Sequence, residues 1–135
     1  MSYTIEPLLQ FLVISFLLLQ AKGCWIGVEK SFFVLSKLPA NSPPLRIRCQ
    51  SGDRDLGSHR LATDHAFSYK FCSNFRTLYF CHVYWNGKDK AFDVFRHNWT
   101  DQRCADAVCY WEVRSDGIYR SDNFPPKTIT KAYDW

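Results

Sequence analysis

Residues 45–59 read Leu45-Arg46-Ile47-Arg48-Cys49-Gln50-Ser51-Gly52-Asp53-Arg54-Asp55-Leu56-Gly57-Ser58-His59, and the change of character after Gln50 sets the fold class. Up to that point Leu45, Ile47 and Cys49 alternate with Arg46, Arg48 and Gln50. That period of two gives a strand one apolar and one polar side. Beyond it, residues 51–60 are crowded with Gly, Ser and Asp, the chemistry of a tight polar loop. Working outward, short aromatic-rich alternating segments recur at 31–36, 45–50, 65–72, 77–85, 88–96, 107–115, 117–121 and, more weakly, 127–132. Pro39, Pro43, Pro44, Pro125 and Pro126 lie between them, where no ladder hydrogen bond is required. No segment carries a convincing helical period. Seven to eight short strands at this spacing predict an all-β fold, an antiparallel β-sandwich stabilised by disulfides.

Two dipeptides, Asn86-Gly87 and Asp116-Gly117, tolerate the positive φ of a two-residue hairpin turn. A turn at Asn86-Gly87 sets Trp85 opposite Lys88, Cys81 opposite Phe92 and Tyr79 opposite Val94. Tyr79, Cys81, Val83, Phe92 and Val94 then share one face. The second turn gathers Cys109, Trp111, Val113 and Ile118. Cys49, Cys81 and Cys109 point inward by parity, whereas Cys72 falls on the polar side of its strand.

Leu8–Leu19 is an apolar run broken only by Gln10 and Ser15, shorter than the ~20 residues that span a bilayer. Ala21 and Gly23 follow at the spacing a signal peptidase reads, so residues 1–23 are expected to be a cleaved secretory leader, although residues 1–7 lack Lys and Arg. Removing them from the 135 residues leaves 112, a single domain (24–135) with net charge +4, because the leader holds one Glu and one Lys. Six cysteines behind a leader predict disulfides, and no C-x-x-C pair suggests zinc. Cys49, Cys81, Cys104 and Cys109 allow three pairings. Parity favours Cys49 with Cys109, leaving Cys81 for Cys104; Cys24 and Cys72 form a possible extra bridge. Asn98-Trp99-Thr100 is a glycosylation sequon in a candidate surface loop.

The 49–59 stretch, together with Thr77-Leu78-Tyr79-Phe80-Cys81, Phe92-Asp93-Val94, Cys104, Cys109-Tyr110-Trp111-Glu112-Val113 and Asp116-Gly117-Ile118-Tyr119, resembles the plant self-incompatibility protein family, the S-protein homologues. The resemblance runs from about Ser31 to Arg120. It implies a small secreted plant protein that acts as a signalling ligand for a cell-surface receptor, in pollen rejection or other cell–cell communication. Departures are Leu61-Ala62-Thr63-Asp64, which lacks the usual Gly after the leucine, Tyr79-Phe80-Cys81 in place of an aromatic-Trp-Cys pattern, and the two additional cysteines, Cys24 and Cys72.

Catalytic readings find little support. His59, His65, His82 and His97 do not gather into an acid–base pair. Asp53 and Asp55 form a D-x-D without the further ligands of a calcium loop, so turn-stiffening Asx bonds account for them better. No hydrolase nucleophile elbow or phosphate-cradling glycine loop is present. A charge of +4 without a dense Lys/Arg stripe argues against nucleic acid. Trp111 and Tyr79 are expected in the core; Trp85 and Trp99 are the only candidates for exposed aromatics, and sheet packing favours the core reading over a sugar-stacking groove.

The expected protein is therefore a secreted monomer, not an enzyme, with no cofactor, no metal and no stable membrane insertion after leader cleavage. Its partner is an unidentified cell-surface receptor. Exposed loops carry the contact candidates: Arg54, Asp55 and His59; His97, Trp99 and Arg103; and the hairpin tips Asn86 and Asp116. The alternative is a carbohydrate-binding or antimicrobial defence protein without catalysis.

Overall fold

The computed structural model describes residues 24–99 and 103–135. The leader assigned to residues 1–23, and Thr100 of the sequon, lie outside the described residues. In chain order the strands are β1 (Val28–Ser36), β2 (Leu45–Gln50), β3 (Asp55–Leu61), β4 (Ala66–Ser73), β5 (Leu78–Trp85), β6 (Lys88–Arg96), β7 (Val108–Arg114), β8 (Gly117–Ser121) and β9 (Thr130–Tyr133). They form two sheets, ordered β4-β1-β7-β8-β9 and β3-β2-β5-β6. The fold is the all-β sandwich that alternation predicts, with two differences. β3 occupies the second half of the supposed 51–60 loop and runs one residue past it, and β1 runs parallel to β7, so the pairing is not wholly antiparallel. β3 escapes a pattern reading because it is an edge strand: only Leu61 of its seven residues is buried.

Parity holds where the core is built. Leu45, Ile47, Cys49, Cys81, Val83 and Val113 have no exposed surface. Rings bridge the two layers: Phe32 of β1 and Phe71 of β4 meet Tyr79 of β5 with centroids 5.7 and 4.7 Å apart, and Trp111 of β7 meets Phe92 of β6 at 4.9 Å. Each such side chain contributes roughly 1.5–3 kcal/mol on burial.

The β5–β6 turn is the predicted one, with positive φ at Asn86 (51°) and Gly87 (77°) and Trp85 opposite Lys88. The expected Tyr79–Val94 pair is wrong. A bulge between Tyr79 and Phe80 sets Tyr79 opposite Phe95, which turns both Val94 and Phe95 inward. Val94 thereby leaves the ladder, and its carbonyl accepts the buried indole N–H of Trp111 at 3.1 Å. The β7–β8 loop is Ser115-Asp116 rather than Asp116-Gly117, since Gly117 already pairs with Arg114. A Cβ on Gly117 would lie 2.4 Å from the Tyr133 carbonyl oxygen, so that glycine serves the close approach of β9.

The disulfides correct the expected pairing. Cys49 bonds Cys81 and Cys104 bonds Cys109, while Cys24 bonds Cys72. All three parity-inward cysteines are buried, but inward orientation says nothing about which strands are neighbours. β2 and β5 are adjacent in one sheet, and their register sets Cys49 directly opposite Cys81 with Cα atoms 4.0 Å apart. β7 belongs to the other sheet. Cys104 instead reaches Cys109 by a tight loop that holds positive φ at Cys104 (58°) and Ala107 (65°).

Candidate recognition surface

Strand directions sort the predicted contact residues between the two ends of the sandwich. β5 begins beside the turn at Asn74–Thr77, and its first residue Leu78 pairs with Arg96 at the end of β6. Gln50 at the end of β2, Ser73 at the end of β4 and Val28 at the start of β1 lie at that same end. The end therefore gathers Arg54, Asp55, His97, Asn98, Trp99 and Arg103. Asn86 and Asp116 occupy the opposite end, and His59 sits midway along β3 opposite Ile47. The contact loops proposed from sequence thus do not form one site.

Several of these side chains are committed internally. Asp55 is ion-paired with Arg48 at 2.5 Å and accepts the Gly57 N–H at 2.9 Å; Arg48 first, then that amide, holds its carboxyl below the ordinary range. The imidazole of His59 stacks on Phe67 with centroids 4.6 Å apart and bonds the Leu56 carbonyl, which makes it part of the strand surface rather than a loop tip. At the far tip Asp116 accepts the Tyr119 hydroxyl at 2.6 Å, which depresses its carboxyl, and Lys131 lies 3.6 Å away. His97 Nδ1 lies 3.3 Å from the Thr77 carbonyl. Trp85, one of the two candidates for an exposed aromatic, is buried, donates to Ser42 Oγ at 3.1 Å and packs near Trp135. Trp99 is half-buried against Phe95 with the Arg103 guanidinium 4.7 Å over its ring.

Two clefts open at the end that gathers Arg54 and Trp99. The larger, about 640 Å³, lies between the Ser51–Arg54 loop, the end of β4 and the Asn74–Thr77 turn, with Tyr69 and Tyr79 on its wall. Arg54 Nη1 donates to the Tyr69 hydroxyl at 2.8 Å, and burial pushes the Tyr79 hydroxyl up. The second, about 450 Å³, runs between Val28, Phe75, His97 and Trp99. Together their walls carry the cations Lys30, Arg54, Lys70, Arg76, Arg96 and Arg103 against one carboxylate, Asp53, among the described residues. Glu29 and Asp93 flank the rim, within 3.3 Å of Lys70 and 3.4 Å of Arg96. Exposed apolar side chains crowd the same end: Trp25, Ile26, Val28 and Phe75 are 79%, 76%, 60% and 73% exposed.

Sequence reasoning passed over Trp25 and Phe75. Both sit in short non-alternating segments, Cys24-Trp25-Ile26-Gly27 and Ser73-Asn74-Phe75-Arg76, where no strand parity draws an aromatic inward. No group of three or more His, Cys, Asp or Glu side chains is placed to hold a metal among the described residues. What the end offers is surface: charged, aromatic and mounted on a core locked by disulfides.

The architecture defines a class, a small disulfide-tied two-sheet β-sandwich with a cation-rich end. Comparison with known proteins places it further. Residues 32–135 match the family model of plant self-incompatibility protein S1. S-protein homolog 24 of Arabidopsis thaliana is 40% identical over 94 residues, covering 67% of this chain and 61% of that protein. S-protein homolog 29 of Arabidopsis thaliana is 38% identical over 93 residues, 67% of each chain. The match thus spans about three fifths of the first relative's length and two thirds of the second's. A solved structure described as that of SPH (Self-Incompatibility Protein Homologue) proteins, "a widespread family of small, highly stable, secreted proteins from plants", shares the fold with a TM-score of 0.56 at 16% identity, covering 83% of this chain and 94% of the other. The chain belongs to the plant self-incompatibility protein S1 family.

Proposed function

We propose that this S-protein homologue is secreted and works as a signalling ligand, read by a cell-surface receptor and performing no catalysis of its own. The family match supports secretion, as do three disulfides, which persist in oxidising compartments. One observation carries the recognition reading: two adjacent clefts at one end are walled, among the described residues, by six cations and one carboxylate, with Glu29 and Asp93 pairing only Lys70 and Arg96 at the rim. Such an excess of one sign steers an acidic partner surface and speeds its capture. The receptor face is therefore acidic.

Binding of labelled protein to intact plant cells of the expressing tissue tests the reading. Saturable binding that protease treatment of the cells abolishes supports a protein receptor. Turnover of a substrate by the purified protein, or cell binding with no saturable, protease-sensitive component, overturns it.

A further inference from the structure

Trp25, Ile26, Val28 and Phe75, each at least 60% exposed, account for four of the five large exposed hydrophobic side chains among the described residues. They are not scattered. Val28 pairs with Ser73, two residues before Phe75, and Val28 and Phe75 line one cleft. Nor is the Trp25-Ile26 segment a loose end. The Cys24–Cys72 bridge fixes it on one side. On the other, Gly27 (φ +93°) seats against Ser73 so closely that a Cβ would lie 2.3 Å from its carbonyl oxygen. A bridge and a glycine thus hold an aromatic and aliphatic tip out into solvent. Arg76 lies over the Phe75 ring at 5.2 Å, and Lys30 and Arg96 line the cleft below.

We propose that this tip docks on an anionic lipid bilayer surface. Trp favours the headgroup boundary, where its amphipathic ring is half wet, Phe and aliphatic side chains bury at the acyl boundary, and surrounding Lys and Arg are drawn to anionic headgroups. The cation excess at this end complements such a surface. Ile26 and Val28 separate a bilayer from an acidic polysaccharide: sugar rings stack on aromatic faces but gain little from aliphatic side chains, whereas acyl chains accept both. The docking is peripheral, through side chains at one end of the sandwich. It stands independently of the receptor reading, because protein-free vesicles test it.

The test is flotation of the secreted protein with phosphatidylcholine vesicles, with and without phosphatidylserine, beside gel filtration and a polygalacturonate pull-down. Binding is expected only with phosphatidylserine, and to fall at 1 M salt, where the screening length is about 3 Å. W25S/F75S is expected to abolish it while the melting curve stays that of the wild type. K30A/R76A, which leaves the apolar tip intact, is expected to weaken it roughly 25-fold, about fivefold per cation. N86D at the far end changes nothing. The proposal is overturned if phosphatidylserine vesicles do not bind, if W25S/F75S still binds, if polygalacturonate binds in their place, or if the tip proves to hold two copies together as a dimer that W25S/F75S dissociates.

Discussion

Replacing Cys49 and Cys81 together by alanine removes a bridge between two residues with no exposed surface that face each other across β2 and β5. Their separation of 32 residues sets the magnitude. Freeing a loop of that size in the unfolded chain returns about 12 cal/mol/K, or about 3.7 kcal/mol at room temperature. Losing two buried sulfurs adds about 1 kcal/mol each. The total, between about 5 and 6 kcal/mol, is a large part of a small domain's 5–15 kcal/mol margin, and corresponds to a fall of about 20 °C in Tm. Removing Cys104 and Cys109, only five residues apart, forfeits about 2 kcal/mol on the same loop argument. Urea unfolding followed by tryptophan fluorescence and circular dichroism gives both differences, and thiol titration of the denatured variants adds a sharper reading. With Cys49–Cys81 and Cys104–Cys109 intact as pairs, each double variant has no free thiol. Were the pairs Cys49–Cys109 and Cys81–Cys104, each would expose two. Two free thiols, or a C104A/C109A variant less stable than C49A/C81A, would refute the reasoning.

Three further outcomes are expected. Tyr110→Phe strips the buried Glu112 carboxylate of a 2.6 Å hydroxyl donor and leaves Arg114 its remaining partner, so urea unfolding is expected to show a loss of about 1.5–3 kcal/mol. Gly117→Ala drives a Cβ against the Tyr133 carbonyl and is expected to cost about 1–3 kcal/mol, with amide exchange in β9 accelerating first. Asp55, Asp106 and Asp116 all have carboxyls held low, by Arg48, by the Phe124 N–H and by the Tyr119 hydroxyl respectively. Depressed carboxylates contribute stability that is whole above the unfolded value near 3.9 and is lost as pH falls through the folded one. The urea midpoint should therefore hold from neutrality down to about pH 5 and drop below about pH 4, with the drop smaller in D106N.

Strand interiors were legible in the sequence wherever one side of a strand meets the core. Leu45, Ile47 and Cys49 announce β2 because each outward neighbour is charged or polar, and the Asn86-Gly87 turn fixed the register of Trp85 and Cys81 against β6. What depends on neighbours across the chain was not legible. β3 is an edge with a single buried residue, so its Asp, Gly and Ser read as a loop. The Tyr79 bulge shifts one residue without changing composition, and the parallel β1–β7 pair leaves no local mark. The cysteine pairing failed for the same reason: orientation is local, adjacency is not. At the cation-rich end, Arg54, Trp99 and Arg103 were found by loop position, but which loops share an end depends on strand direction. Trp25 and Phe75 went unseen because aromatic content is ordinarily a packing signal.

The two-ended character of the molecule is the claim on which the functional account rests. Its direct test is the protease-sensitive, saturable binding to cells of the expressing tissue, measured for wild type, R54E/R76E at the cationic end and N86D at the far tip. The account predicts that R54E/R76E loses this component while N86D retains it and both keep the wild-type melting curve. Retention by R54E/R76E together with loss in N86D would place recognition at the other end and contradict it.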